Sequence, residues 1–174
     1  AERIQVELSK ILCSDHPELL SMASEIGITR VILPELDKMF DTVQNNPHHK
    51  YNVGWHTIYA IKGVPKVLHL RYTMLLHDVA KPVMKITDEQ GIDHFYGHEK
   101  RGVPMAENIL KRLKLDNNTI KKVKQLVCWH DYQWGPEVTE KKVRRATAKI
   151  GSEYMEDLFR IQMADVMAQS SYYQ

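Results

Sequence analysis

Residues 68–82 read LHLRYTMLLHDVAKP, a strongly apolar run that closes on two potential metal ligands. The apolar residues predict a buried helix over residues 65–79. His77 and Asp78, at the end of this helix, offer an imidazole nitrogen and carboxylate oxygens, a mixture that suits Fe, Mn, Co, Ni or Zn better than Ca. Neighbours on a helix point about 100° apart, so both can reach one ion only where the backbone turns. Lys81, one turn beyond Asp78, could offer a positive charge to a phosphate beside the ion.

Helical spacing of apolar residues also dominates the rest of the sequence. It predicts an all-α fold, a compact bundle of seven to nine helices. The exception is residues 83–97, where short segments on either side of a polar turn predict a small hairpin or an ordered loop. The predicted helices cover residues 2–12, 15–27, 34–44, 55–62, 65–79, 99–113, 117–130, 139–150 and 152–169, with Lys81-Pro82 as a stop signal and Asp116, Thr139 and Ser152 as N-caps.

The composition indicates one domain with a well-filled core, because the chain has 174 residues of which 43% are hydrophobic and 26% charged. No apolar run approaches the roughly 20 residues of a membrane-spanning helix. The two cysteines, Cys13 and Cys128, lie far apart and favour a reducing compartment. We therefore expect a cytoplasmic domain without membrane contact. The sequence has no signal peptide. Because it opens on Ala1 rather than on Met, we also expect a piece of a longer protein, with a stand-alone relative as the alternative.

Several common catalytic motifs are absent. The sequence contains no GxxxxGK[ST] phosphate loop, no GxGxxG turn and no GxSxG nucleophile elbow. It also contains no CxxC pair and no zinc-finger spacing of Cys and His. Phosphate-loop and dinucleotide-fold chemistry are thereby excluded.

Nine histidines are the most informative feature of the composition. A helical bundle builds metal sites from side chains that point inward from several helices, and six such candidates lie on five separate segments. They are His56, His77, Asp78, His98, His130 and Asp165. One ion would be held by the first three and the last, and a second by the two remaining histidines, with the carboxylate of Asp78 bridging. A single helical histidine is more often structural, and that interpretation is kept for His16, His48, His69 and His94.

The order of these residues resembles the HD superfamily of metal-dependent phosphohydrolases, whose signature runs H…HD…H…H…D. The resemblance covers roughly residues 34–169 and includes the HDxxK variant completed by Lys81. It implies that the first His, the HD pair and the last Asp bind one metal, and that the middle histidines mark the subset with a second. It further implies a phosphate contact for Lys81. Asp131, beside His130, is a weaker candidate for a general base or for orienting a ligand.

A second resemblance is to the region that follows the catalytic head in bacterial HD-containing tRNA nucleotidyltransferases. It rests on ERIQVEL at residues 2–8, PEL at 34–36, HKYNVGWHT at 49–57, LLHDVAKP at 75–82 and FYGHE at 95–99. The GG…RD stretch and DxD carboxylates of the head are absent, so this chain does not add nucleotides by itself. The resemblance implies neck-like helices over residues 1–33 and an HD domain over residues 34–174.

The favoured hypothesis is a metal-dependent phosphatase or phosphodiesterase that acts on nucleotides or RNA ends. A hydroxide bound to one or two divalent ions (Fe, Mn, Co or Ni, with Mg also compatible) would attack phosphorus. Asp78 would hold the ions, Lys81 would offset phosphoryl charge, and Asp131 would protonate the leaving oxygen. A scaffold with vestigial histidines is the least favoured hypothesis, because no ligand is missing.

The alternative hypothesis is an RNA-binding accessory region. Residues 99–150 hold 13 basic and 6 acidic side chains, an excess that suits contact with the phosphates of tRNA. Solvated helix faces explain the same excess equally well. Trp129, Tyr132 and Trp134 could stack on unpaired bases, although burial in the core is the more common fate of such aromatics.

Overall fold

The computed structural model of the chain describes residues 2–45 and 50–169. In these residues the fold is all-α, as predicted, with eleven α-helices, one 3-10 turn and one hairpin. The number exceeds nine because two helices of four residues, α3 and α7, are too short to give a periodic signal. The helices are α1 (Glu2–Leu12), α2 (Leu19–Glu25), α3 (Thr29–Ile32), α4 (Pro34–Phe40), α5 (Val53–Gly63), α6 (Leu68–Leu76), α7 (Lys81–Met84), α8 (His98–Arg112), α9 (Asn117–Trp129), α10 (Glu140–Ile150) and α11 (Met155–Gln169).

Helix α6 lies at the centre of the bundle. Its residues 70–76 are all buried, and it packs against α1, α5, α9 and α11. A helix that is apolar on every side is stable only when neighbours cover every side. Arg71 is the charged exception, and its guanidinium donates to the carbonyl oxygens of Pro65 at 3.1 Å and Leu12 at 3.0 Å. The polar residues that follow the end of α6 therefore lie in the interior.

The chain turns immediately after α6, so this helix ends before the predicted residue 79. The helix ends at Leu76 with His77 as its C-cap, and the amide of Lys81 donates to the carbonyl of Asp78 at 2.9 Å. Lys81-Pro82 is not a stop signal, since Pro82 occupies the first turn of α7, where a missing N–H costs nothing. The turn at residues 77–80 is the feature that allows His77 and Asp78 to face the same point.

Two of the three predicted N-caps are confirmed. The side chain of Asp116 accepts from the amide of Thr119, and that of Thr139 accepts from the amide of Lys142. The cap predicted at Ser152 is wrong, because Ser152 begins a 3-10 turn that leads into α11. Gly151, the residue before it, has a φ of 107°, a positive value that glycine adopts without strain. The chain turns at this residue between α10 and α11.

The predicted hairpin is confirmed as β1 (Ile86–Thr87) paired antiparallel with β2 (Asp93–His94). The buried carboxylate of Asp93 accepts from the amide of Asn45 at 2.7 Å and from the ammonium of Lys85 at 2.8 Å. The hairpin is thereby fixed against the segment that follows α4, and β2 leads directly into α8.

Two glycines allow close approach within two helix pairs, α5 with α11 and α8 with α9. A methyl group on Gly63 of α5 would lie 2.8 Å from Cβ of Ala164 on α11. A methyl group on Gly102 of α8 would lie 3.3 Å from Cγ1 of Val127 on α9. The backbones of α5 and α11, and of α8 and α9, are therefore packed more tightly than larger residues allow.

The N-terminal helices share the core of the remaining chain. Leu8, Leu12, Leu20 and Leu33 belong to the same buried cluster as α5, α6 and α11. The division between a neck at 1–33 and a domain at 34–174 stays a prediction. Among the described helices, each is too short or too polar to cross a bilayer.

Candidate metal centre

The six side chains predicted as ligands converge on one point inside the bundle. Five are buried, and the side chain of Asp165 is 19% exposed. Two come from the turn after α6, and the others each come from a different helix or helix end. They are His56 on α5, His77 and Asp78 in the turn, His98 at the start of α8, His130 at the end of α9 and Asp165 on α11.

The first half of the cluster contains His56, His77, Asp78 and Asp165. Nε2 of His56 lies 2.8 Å from Oδ1 of Asp165, 3.5 Å from Oδ2 of Asp78 and 3.3 Å from Nε2 of His77. Nε2 of His77 lies 3.3 Å from Oδ2 of Asp78 and 3.4 Å from Oδ1 of Asp165. The two imidazole nitrogens and a carboxylate oxygen of Asp78 thus lie at ligand spacing, and Oδ1 of Asp165 lies within 3.4 Å of both nitrogens.

The second half of the cluster uses the other oxygen of Asp78. Oδ1 of Asp78 lies 3.2 Å from Nε2 of His98 and 3.8 Å from Nε2 of His130. The two Nε2 atoms are 3.1 Å apart. Asp78 therefore presents one oxygen to each group of histidines, which is the bridging arrangement expected from the sequence.

Three of the four histidines are oriented by the same local interaction. Nδ1 of His77, His98 and His130 lies 2.7, 2.9 and 2.7 Å from the carbonyl oxygen three residues earlier. A carbonyl can only accept, so Nδ1 carries a proton and Nε2 is left to face the cluster. Backbone carbonyls orient metal-bound histidines in this way. The donor set consequently fits a divalent ion in each half of the cluster.

The charges of the cluster are strongly coupled. Burial disfavours the charged form of His77, but attraction by Asp78 and hydrogen bonding to Asp165 outweigh it and raise the pKa of His77 to about 10. Burial likewise opposes ionisation of Asp78, yet His77 and Lys81 hold the pKa of that carboxyl well below its usual value. The metal-free chain at neutral pH therefore keeps a proton on Nε2 of His77, where a metal would bind.

We expect metal binding to release protons at neutral pH, because the ion and the proton compete for Nε2 of His77. Since the pKa of His77 is raised to about 10, the proton is present below that pH and the competition weakens as pH rises. Apparent Mn²⁺ affinity should rise about tenfold per pH unit between about pH 6 and about pH 9 for one displaced proton. Calorimetric titration in two buffers of different ionisation enthalpy measures the number released.

The control for this titration is His69→Gln. His69 also pairs with a carboxylate, at 2.6 Å from Asp157, but it lies outside the cluster. This variant should release as many protons as the unmodified chain. An affinity independent of pH would contradict the assignment of a protonated His77.

Lys81 is buried beside the cluster. Its Nζ lies 2.7 Å from Oδ2 of Asp78 and donates to Oε1 of Gln44 at 3.0 Å. The ammonium also lies 5.3 Å from the ring centre of Phe95. Sequence reasoning assigned Lys81 to a phosphate but missed Gln44, which is far away in sequence and has no motif around it. Lys81 also lines a cleft that reaches the cluster, where a phosphate could meet it.

Asp131 lies at the rim rather than inside the cluster. It is exposed, and its Oδ1 accepts from the side-chain amide of Gln133 at 2.8 Å. One carboxylate oxygen of Asp131 groups with His98 and Glu99 at ligand spacing. The structure therefore brings Asp131 near the centre, while its role as an acid, base or orienting residue stays a prediction. Glu99 was not among the candidates, although it stands beside His98 in the sequence.

Two clefts connect the cluster to solvent. The polar cleft, of about 370 Å³, runs along residues 93–99 and reaches Asp78, Lys81 and Asp131. The aromatic cleft, of about 860 Å³, is bordered by residues 130–135, Val138 and one face of α11. Its walls include Tyr132, Trp134, Val138, Phe159, Met163 and Val166, and its inner end includes His130 and Asp165.

The histidines assigned to structural roles lie away from the cluster wherever the structure describes them. His16 contacts Glu18, His69 pairs with Asp157, and His94 pairs with Asp88 at 2.8 Å. His48 falls outside the described residues, as does His49 of the second resemblance.

The bundle and its buried His–Asp cluster define a class of protein. The HD-domain family model matches residues 50–166, and the chain belongs to that family, whose members bind divalent metals. Residues 1–40 match a second model, described as a probable RNA and SrmB-binding site of polymerase A. Both resemblances drawn from the sequence are thereby confirmed.

The chain is similar to proteins named multifunctional CCA protein. It is 31% identical over 127 residues to that of Actinobacillus pleuropneumoniae serotype 5b, covering 68% of this chain and 30% of the relative. It is 31% identical to those of Alkalilimnicola ehrlichii and Neisseria gonorrhoeae over 137 and 136 residues, covering 76% and 75% of this chain. The chain spans about a third of the length of these relatives, 32% in the last two cases.

Proposed function

We propose that the chain is a metal-dependent phosphohydrolase that cleaves phosphomonoesters or phosphodiesters of nucleotides or RNA ends. The observation that carries this proposal is the placement of Asp78, whose two oxygens face two separate groups of imidazole nitrogens. Two ions held a few ångströms apart suit in-line displacement at phosphorus. Membership of the HD family supports the same reaction class.

The first ion would be held by His56, His77, Asp78 and Asp165, and the second by His98, His130 and the other oxygen of Asp78. When bound, the metals polarise the phosphate and lower the pKa of a water so that it can act as the nucleophile. Fe, Mn, Co and Ni all fit this mixture of imidazole and carboxylate, and Mg is also compatible.

The residues of the chain would position the substrate and move one proton. Lys81, at the end of the polar cleft, would direct its ammonium towards the phosphoryl oxygens and offset their charge. The buried walls around Asp78 exclude bulk water, which strengthens these interactions. Asp131, exposed at the rim of both clefts, would take up a proton from solvent and deliver it to the leaving oxygen.

Metal analysis followed by a phosphate-release assay tests this function. Protein purified without chelator should carry one or two equivalents of transition metal. After loading with Mn²⁺ it should hydrolyse nucleoside monophosphates, cyclic nucleoside phosphates or 3′-phosphorylated RNA, and chelator should abolish turnover. A chain that takes up neither Mn²⁺ nor Fe²⁺ would remove the proposal.

A second candidate function is binding of tRNA, and the match of residues 1–40 to an RNA-binding family favours it. The basic segment 99–150 contributes exposed cations, including Arg144 and Arg145 on α10. Acidic neighbours already engage part of this charge, since Glu107 pairs with Lys111 and Lys124. The binding function is compatible with hydrolysis, because one surface could hold the RNA whose end enters the centre.

We expect tRNA binding to weaken as salt concentration rises, with a slope set by the number of phosphates neutralised. Replacing Arg144 and Arg145 together by Ala should reduce that slope by about 2, since each arginine neutralises one phosphate. Filter binding between low and moderate salt measures it. The control is Arg160→Ala on α11, an arginine outside the segment that pairs with Glu156 as Arg144 pairs with Glu140. Equal effects of the two changes, or binding that ignores salt, would contradict an RNA surface at 99–150.

A further inference from the structure

The aromatic cleft places a continuous series of rings beside the metal centre. The rings of Trp134 and Phe159 stack with centroids 5.3 Å apart and planes inclined by 22°. Tyr132 meets Trp134 edge-on at 5.0 Å, and Trp129 meets Tyr132 at 6.0 Å. The cleft's volume of about 860 Å³ lies in the range of small-molecule sites, about 300–1,000 Å³.

The side-chain amide of Gln162 fixes the position of Trp134 relative to the metal centre. The indole Nε1 of Trp134 donates to Oε1 of Gln162 at 2.8 Å. The side-chain nitrogen of Gln162 donates to the carbonyl oxygens of His130 at 3.0 Å and Tyr132 at 2.9 Å. The position of the indole ring is therefore fixed relative to the backbone of His130. A rigid aromatic side chain costs little entropy when a ligand binds to it.

The apolar wall of this cleft is exposed to solvent in the described part of the chain. Phe159 is 45% exposed, Met163 64% and Val138 57%. At the inner end the lining changes to His130 and Asp165, two of the candidate ligands. A molecule that fills the cleft therefore has a flat apolar part against the rings and a metal-seeking part at the cluster.

We propose that the aromatic cleft is a base-stacking subsite, which binds the nucleobase of the substrate whose phosphate lies at the metal centre. The inference rests on the proposed function and adds to it a binding site for the base of the nucleotide substrate. Base–aromatic stacking is tolerant of base identity because every base has a π-face. Both amide hydrogens and the oxygen of Gln162 are already engaged within the chain, so this side chain does not read the edge of a base.

Two phosphomonoesters that differ in the presence of a base test the subsite. The probes are adenosine 3′-monophosphate and glycerol 3-phosphate, each with the full chain loaded with Mn²⁺. Trp134→Ala should raise KM for the nucleotide about tenfold to a hundredfold, the usual worth of one stacked base, and leave glycerol phosphate within about twofold. Trp134→Phe keeps a ring but loses the bond to Gln162, and should retain most of the nucleotide preference.

The control is Tyr96→Ala. Tyr96 is an exposed aromatic on the polar cleft of the same centre, stacked on His94 at 5.2 Å. This variant should leave the ratio of the KM values for the two substrates unchanged. A ratio that responds to Tyr96 and not to Trp134 would overturn the proposal by placing the base in the other cleft. Equal losses for both substrates in Trp134→Ala would also overturn it, because the indole would then act only on the metal centre.

A binding measurement separates failure of the subsite from failure of hydrolysis. Adenosine 3′-monophosphate should quench tryptophan fluorescence of the unmodified chain, and Trp134→Phe should remove the quenching. Quenching without turnover of any phosphoester would sink the proposed hydrolase and keep the subsite. Turnover without quenching, at equal rates for both probes, would support the proposed hydrolase and refute the subsite. A 3′-phosphorylated trinucleotide that binds more tightly than the mononucleotide would identify an RNA end as the source of the base, and equal affinity a free nucleotide.

Discussion

Asp78→Asn is expected to abolish metal binding and to lower phosphohydrolase activity on the order of ten-thousandfold. The reason is geometric, since each oxygen of this carboxylate faces a different group of histidines. One substitution therefore removes a charged donor from both ions at once. Loss of several kcal/mol of stabilisation at each ion gives a decrease on this order. Elemental analysis and phosphate release from the loaded protein measure the two effects.

The matched control for this variant is Asp157→Asn. Asp157 also pairs with a histidine, His69, yet it lies outside the cluster, so metal content and turnover should stay at the unmodified level. The loss of charge at Asp78 leaves the ammonium of Lys81 buried without its carboxylate, which costs about 3–5 kcal/mol in such pairs. If the single variant does not fold, Asp78→Asn combined with Lys81→Met removes both charges. Full metal content in a folded Asp78 variant would refute the assigned centre.

His98→Asn is expected to reduce the metal content from two ions to one and to lower turnover on the order of a hundredfold or more. Asparagine places a donor near the position of Nδ1, so it can keep the bond to the carbonyl of Phe95. It has no counterpart of Nε2, the atom that lies 3.2 Å from Oδ1 of Asp78. The variant thus removes a ligand of the second ion and spares the helix start. Metal titration at fixed pH gives the stoichiometry.

His94→Asn is the matched control for the second ion. His94 stands four residues before His98 and pairs with Asp88 in the hairpin, outside the cluster. It should leave two ions in place. A single ion in the unmodified chain, retained in His98→Asn, would show that the centre holds one metal only and that His98 and His130 serve another purpose.

Much of the fold and of the candidate centre could be predicted from the sequence, because short stretches of sequence indicate them. The apolar run before His77-Asp78 predicted a buried helix, and the described residues contain it as α6. The six candidate ligands were identified from residue type and order alone, and all six converge. The stop predicted at Lys81-Pro82 failed, because proline is as acceptable in the first turn of a helix as it is after the last.

The rest depended on interactions that only the folded chain makes. Gln44 lies 37 residues before Lys81, and Gln162 lies 32 residues after His130, yet each bonds to its partner. Neither stands in a recognisable motif, so sequence reasoning had no signal for them. The stacking of Trp134 on Phe159 likewise joins two separate segments. Burial was the expectation for Trp134, and the ring lies only partly buried, along an open cleft.

The close approach of Gly63 to Ala164 has a consequence for how such a centre is lost. Asp165 follows Ala164 directly, so the distance between α5 and α11 also sets the reach from Asp165 to His56. A chain that keeps every histidine and aspartate of the centre is expected to lose the proposed activity through one added methyl group, at a position outside the cluster. An inventory of ligands alone would count that chain as competent. The spacing of two backbones is as much a requirement of the proposed chemistry as the residues that would carry it.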